Sequence, residues 1–487
     1  MPSEPSDAQL AAVCDRPSPA GDAKAAAREH TSQLARWAAG LAWSDVPDAV
    51  RSRLSLVLLD TFAVTLAGAG TEGQRRIRAA WPQPAGDAPV LGAGVLTQVD
   101  TAAYLNATAL VCNELDEGGK YAKGHPAGHA FPAILALAAS SGSPGELTAR
   151  ALLAGYEVAA RFGRATALHR GVHPHGNWGV TGAAAGCAIL LGLPAPQVAA
   201  AIDTAAGLPI AGHFDSALDG HRVRDAWIGA AAVSGLAAAR LAAAGVVRDT
   251  GTAALSLGTL LGDFAAEVLT DGLGEDWQIQ HNYFKRHASC SYTHPAADLA
   301  LQLRARHLRT VTKAQLVDAV VEVRVDTHAL AAPLRRTHWN NSLGAMFSIP
   351  YAVATALLDG AVTPAAAEAT AADRPDVFAL ARRVRVTEDP ALTARLPDER
   401  ATRLTAVLAG GRRVELSAPH PVGDSSHHPF TSDTLSPVLA GLLGGRAVVE
   451  RLRRTADALC TADDVGPPLR ALAARTPPPA PVPGGTA

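Results

Sequence analysis

Little in this sequence invites a disulfide, a metal centre or a nucleotide. The five cysteines, Cys14, Cys112, Cys187, Cys290 and Cys460, are odd in number, widely scattered and form no CxxC pair. That usage excludes a disulfide framework and fits reduced thiols in a cytoplasmic protein. There is no P-loop, no GxGxxG after a strand, no GxSxG elbow and no HExxH, which disfavours nucleotides, dinucleotides, serine hydrolysis and zinc hydrolysis. A net charge of -2 gives no general field for nucleic acid or an anionic membrane. The first residues, MPSEPSDAQL, carry acids where a signal peptide carries positive charge and an apolar run. Residues 229–247 are apolar but mostly alanine and include Arg240, which reads as a packed internal helix rather than a membrane span.

Lysine is scarce as well: Lys24, Lys120, Lys123, Lys285 and Lys313 stand against 43 lysines and arginines together. In so arginine-biased a chain, a lysine marks a place where a compact, titratable ammonium is wanted. At 487 residues the chain is long enough for two domains, each with its own core.

Residues 1–27 are small, polar and proline-spotted, and 476–487 are proline-rich, so both ends are expected to be disordered. A helix is expected from Ser44 and Asp45, with Pro47 in its first turn, Val50, Leu54, Leu58 and Phe62 at helical spacing, and a stop at Gly68. Alanine- and leucine-rich segments broken by turns continue to about Asp276. Beyond it, VVEVRV from Val320, RRVRVTE from Arg382 and RLTAVLAGGRRVELS from Arg403 read as strands, the last a hairpin around Gly410 and Gly411. Helical spacing returns from Leu435. The expected fold is mainly α: a large all-helical domain from 28–276 plus 428–475, with a smaller α+β lid inserted at 277–427. The cleft between them is the natural substrate site.

Four clusters carry chemistry. NELDEGGKYAKGHPAGHAFPA from Asn113 joins Asp116, Lys120, Lys123, His125 and His129 in a glycine-broken loop, a combination suited to acid–base work. HRGVHPHGNWG holds His169, His173 and His175 just before an apolar helix, where imidazoles donate protons or bind anions. YFKRHASCSYTH brings Lys285, His287, Cys290 and His294 to the domain junction, where a lysine clamps a carboxylate and Cys290 reads as a small buried residue. SIPYAVATALLDG places Tyr351 at the head of an apolar helix. Pro126 argues against one regular helix spanning His125 and His129, which weakens a metal site there.

In this order the clusters resemble the MmgE/PrpD family, which includes 2-methylcitrate dehydratases and cis-aconitate decarboxylases. The resemblance runs from ARWAAGLAWSDVPDAVRSRLSLVLLDTFAVTLAG near Ala35 to HPVGDSSHHPF at His420. It implies a helical domain with an α+β lid, a homodimer, and metal- and cofactor-free catalysis at the domain interface. It also implies catalytic roles for Asp116, His125, His173, Lys285 and Tyr351, and substrate contacts for Lys120, Arg224 and Cys290. Three departures stand out: the family's DFDD loop is Asp116, Glu117, Gly118 and Gly119; Arg224 replaces a common lysine; and Cys290 falls where the decarboxylases use histidine.

The function expected is a lyase acting on a small di- or tricarboxylate, with proton abstraction beside a carboxylate followed by dehydratase-type elimination. His173 or His125 would be the base, and Lys285 and Arg224 would hold the carboxylates. Epimerase, isomerase and decarboxylase chemistry use the same apparatus. A metal-dependent hydrolase built on His125, His129 and the histidines near 173, and a non-catalytic acid-binding protein, are the readings from other classes.

Overall fold

The structure is a computed structural model that describes residues 21–475; the ends expected to be disordered fall outside the described residues, except for 21–27. Those residues open the helix Gly21–Gly40. Their alanines have high helix propensity, and Ala27 packs against Ala254 and Ala266, so the folded chain begins earlier than composition alone suggested.

Helix accounts for 56% of the residues and the sheets are few and small. The helix expected from Ser44 starts instead at Asp48, behind Pro47, and runs to Ala69. Its burial is not a stripe: from Leu54 nearly every side chain is buried, Asp60 included. The helices Val99–Val111, Ser432–Leu443 and Arg446–Leu459 all pack against it. A helix covered on all sides becomes apolar all round. The same holds for Val223–Ala243; by length and hydropathy both helices are capable of crossing a membrane, yet both pack inside the protein.

Small residues let the central helices approach closely. Gly145–Ala165 and Val180–Leu190 cross where a Cβ on Gly182 would collide with the Gly155 carbonyl. One apolar cluster gathers these helices together with the C-terminal ones. The helical run from Leu435 is two helices, interrupted at Gly444, whose φ of 76° is left-handed.

A second apolar cluster belongs to residues 290–414, joined by Ala217 and Leu218. It sits under a four-stranded sheet ordered Arg413–Ala418, Thr402–Leu408, Val320–Thr327, Val384–Glu388, whose last pair is parallel and whose others are antiparallel. Helices His294–His307 and Ile349–Asp359 pack against it. Gly410 and Gly411, at φ 81° and 82°, form the expected hairpin turn. Trp277, Ile279, Phe284 and Ala288 pack into the first cluster, so the change of core falls near Cys290 rather than at residue 277.

Candidate active site

Two distant segments are stitched together by a short antiparallel ladder. After helix Val99–Val111 the chain turns through Glu114, a non-glycine residue held at φ 53°. Gly118–Gly119 then pairs with Asn282–Tyr283, with Gly118 opposite Tyr283. This register sets Asp116 beside Lys285. Gly118 is required by its partner, since a Cβ there would collide with the Tyr283 hydroxyl. Pro126 does not bar a helix: it occupies the first turn of Pro126–Ser141, where a missing N–H costs nothing, and His125 is the N-cap. His125 and His129 therefore lie one turn apart, and the His129 amide donates to the His125 carbonyl at 3.2 Å.

His125 Nδ1 lies 2.6 Å from the Glu117 carbonyl oxygen and 2.9 Å from Asp116 Oδ2. Two acceptors at Nδ1 place the proton there and leave Nε2 as the basic nitrogen. Burial alone lowers the His125 pKa, but the Asp116 carboxylate outweighs it and holds it above the usual histidine value. For Asp116, burial works upward, yet His125 and then Lys285 prevail and keep the carboxyl below its usual range.

Lys285 and Arg224, expected as free cations for a substrate, are both engaged by a residue the sequence reading did not single out. Glu114 Oε2 accepts from Lys285 Nζ at 3.0 Å, and Glu114 Oε1 contacts the Arg224 guanidinium. Arg224 also donates to Asp225 at 2.9 Å and to the Val111 carbonyl at 2.9 Å. Lys285 Nζ is 3.6 Å from Asp116 Oδ1.

The second histidine cluster joins this centre. The ring of His175 lies 5.1 Å from that of His125 and 4.4 Å from that of His173. His173 Nδ1 accepts the His175 amide at 3.1 Å, so its proton sits on Nε2, and burial followed by the neighbouring histidines pushes its pKa to about 3. His173 is therefore neutral in the resting site and presents Nε2–H as a donor. His129 is fully occupied: Nδ1 donates to the His125 carbonyl at 2.7 Å and Nε2 accepts the Gly176 amide at 3.0 Å. With both nitrogens used, it has no lone pair for a metal, which removes it from the hydrolase ligand set.

Behind His125 lies a buried carboxyl pair, also missed. Glu117 accepts the Ala127 amide at 2.9 Å and the Tyr156 hydroxyl at 3.0 Å, while its own amide donates to Asp60 at 3.1 Å. Burial pushes Glu117 up to about 7 and Asp60 well above its usual value. A carboxyl whose folded pKa is raised holds its proton in the folded state after the unfolded chain has lost it, so stability falls as pH rises between the two values. For Glu117 that window runs from the ordinary glutamate pKa to about 7. Glu117→Gln should flatten the decline of the urea midpoint across this window, Asp60 leaving a residual slope; an unchanged slope would exclude a buried protonated Glu117.

Buried Lys120 lies 3.4 Å from buried Asp424 and 3.2 Å from the hydroxyl of Ser426, which is exposed. Cys290 is buried in the second apolar cluster within reach of the charges of Lys285, Arg224 and Arg400; burial outweighs them and raises its thiol pKa. Tyr351 is not brought to the histidines. Its ring packs edge-on to Trp339 at 5.2 Å within the second cluster, and its buried hydroxyl has no hydrogen-bond partner among the described residues. A tyrosine heading an apolar helix is here a core residue.

Tyr283 and Arg400 complete the centre. The Arg400 guanidinium stacks 4.7 Å from the Tyr283 ring and 5.5 Å from Tyr292, and it donates to the Lys120 carbonyl at 3.3 Å. Burial raises the Tyr283 pKa, but Arg400, His125 and Lys285 together bring it below the usual tyrosine value. One arginine among so many carried no signal in the sequence; Tyr283 stood two residues from Lys285 and was readable only as an anchor. The anticipated open cleft is a closed polar interior, since His125, Lys285, Glu114 and Arg400 are all buried. A cavity of about 610 Å³ lies elsewhere, lined by Arg53, Thr431 and Cys460 among others.

A predominantly helical scaffold with a second α+β core, and a buried His–Asp–Lys cluster built from loops of the first, defines the class of protein. The MmgE/PrpD N-terminal domain matches residues 32–258 and the MmgE/PrpD C-terminal domain residues 287–454. The chain belongs to the MmgE/PrpD family. It is 26% identical over 382 residues to the cis-aconitate decarboxylase of Aspergillus terreus, covering 73% of this chain and 77% of that protein. It is 28% identical over 330 residues to the cis-aconitate decarboxylase-like protein oryM of Aspergillus oryzae, covering 62% and 67%.

Proposed function

We propose that this protein is a cofactor-independent lyase that moves a proton beside a carboxylate of a small di- or tricarboxylic acid. The observation that carries this reading is His125 Nδ1 held 2.9 Å from Asp116, with Lys285 3.6 Å from the same carboxylate. Asp116 fixes the tautomer and stabilises the imidazolium that forms when Nε2 takes the proton. The charge that develops on the substrate is met by Lys285 and by the neutral Nε2–H of His173, oriented donors in a water-poor interior. Proton transfer from imidazolium to a departing hydroxyl completes a dehydratase-type elimination. Residues beyond Cys290 act as the lid, which supplies Arg400 and Asp424 and must open to admit substrate. We read the functional unit as a homodimer.

Decarboxylation is the second reading, favoured by the names of the Aspergillus relatives. Incubating a panel of hydroxylated and unsaturated di- and tricarboxylates in deuterated water, followed by NMR and headspace analysis, separates the outcomes. Elimination releases water and leaves a carbon–carbon double bond; decarboxylation releases carbon dioxide and puts deuterium on the carbon that loses it. Exchange without either would make the protein an epimerase or isomerase. Neither exchange nor product with any acid would sink the proton-transfer reading.

A further inference from the structure

The charges around His125 are already nearly balanced before any ligand is considered. Lys285 and Arg224 share Glu114; Arg224 and Arg222 share Asp225, the latter at 3.1 Å; and Lys285 also faces Asp116. Lys120 is matched by Asp424. Arg400 differs. It is buried, stacked between Tyr283 and Tyr292, with hydrogen bonds to the Ser291 hydroxyl and the Lys120 carbonyl. Among the described residues no carboxylate forms an ion pair with it, and the nearby Asp424 is already taken by Lys120.

Resting on the lyase reading above, we propose that Glu114 permanently fills the place of one substrate carboxylate on Lys285 and Arg224, and that Arg400 is the residue that anchors the carboxylate of the true substrate. Two consequences follow from electrostatics. A ligand carboxylate at Arg400 gains a planar guanidinium fork that has no other anion to satisfy. A second carboxylate has the neutral Nε2–H of His173 as its donor, because His125 must be uncharged to act as the base. A third meets only cations that are already paired, and burying it uncompensated is strongly unfavourable. The substrate class narrows to a dicarboxylate, and tricarboxylates are rejected by Glu114. The left-handed backbone at Glu114, φ 53°, is a conformation that non-glycine residues adopt at a cost and that the surrounding contacts must enforce. Here the enforcing contacts are the two cations.

The test uses the full-length protein and three unsaturated probes, crotonate, mesaconate and cis-aconitate, which carry one, two and three carboxylates. Calorimetry should show mesaconate binding about tenfold or more tighter than cis-aconitate to the wild type. Glu114→Gln should tighten cis-aconitate by about tenfold and erase that ranking, and Arg400→Gln should weaken mesaconate by about tenfold or more. A Glu114→Gln protein that fails to fold leaves the proposal testable: a wild-type crystal soaked with mesaconate gives an independent answer. A ligand carboxylate on Arg400 with Glu114 still on Lys285 supports the proposal; a ligand that displaces Glu114 overturns it. Equal binding of mesaconate and cis-aconitate to the wild type, or binding of none of the three, overturns it too. The ranking without turnover would sink the lyase reading alone, and turnover without the ranking would sink this inference alone.

Discussion

Replacing His125 by glutamine should cut turnover about 10²- to 10⁴-fold, the range contributed by a positioned acid–base group. The unfolding midpoint should change little, because Asp116 keeps Lys285 as a partner. The reasoning is tautomeric: two acceptors hold the Nδ1 proton, so Nε2 is the nitrogen open to a substrate. A base must be deprotonated to act, so kcat/KM of the wild type should fall on the acid side through a pKa above the ordinary histidine value, the direction set by Asp116. Asp116→Asn removes the carboxylate that overcomes burial, and the acid limb should move to lower pH while kcat drops. His129→Gln behaves differently. Both of its ring nitrogens bond to backbone, so stability should suffer and the position of the limb should not. A wild-type profile without an acid limb, or a limb that ignores Asp116→Asn, would take the role of base away from His125.

Much of this arrangement was legible because composition and order are local properties. The change from alanine-rich helices to valine-rich strands announced the second core, and the glycine pair at 410 and 411 announced its hairpin. The loop with Asp116 and His125 was visible as a cluster of unlike charges broken by glycine. What escaped is what only the ladder between Gly118–Gly119 and Asn282–Tyr283 creates. Glu114 looked like one acid among several until that pairing set it against Lys285, 171 positions away in the chain. Arg400 had no local mark at all, because only the chain before strand Thr402–Leu408 buries it beside Tyr283. A hydroxyl heading an apolar helix, as at Tyr351, gives no hint of the direction its ring faces. Asp60 was hidden for a related reason: a polar residue inside an apolar helix reads as the wet side until the helix proves to be covered on every side.

Replacing Lys285 by methionine should both abolish turnover and destabilise the fold by about 3–5 kcal/mol, the cost of removing one partner from a buried ion pair. Lys285 lies between two buried carboxylates, Glu114 at 3.0 Å and Asp116 at 3.6 Å. The pH dependence identifies the cause. In the wild type Asp116 is held below its usual pKa, so its contribution to stability is present above the unfolded value and is lost as pH falls through the folded one. Without the ammonium only His125 opposes burial, so the Asp116 pKa rises and less of that contribution survives at neutral pH. The deficit of Lys285→Met relative to the wild type should therefore be large at neutral pH and shrink towards about pH 4, where carboxyls take up protons. Combining it with Glu114→Gln removes one of the stranded charges and should restore part of the stability while leaving the enzyme inactive. Urea titrations of the four proteins at both pH values decide the matter: a Lys285→Met protein as stable as the wild type at neutral pH would mean that the carboxylates find other partners, and the charge balance drawn around Glu114 would fall with it.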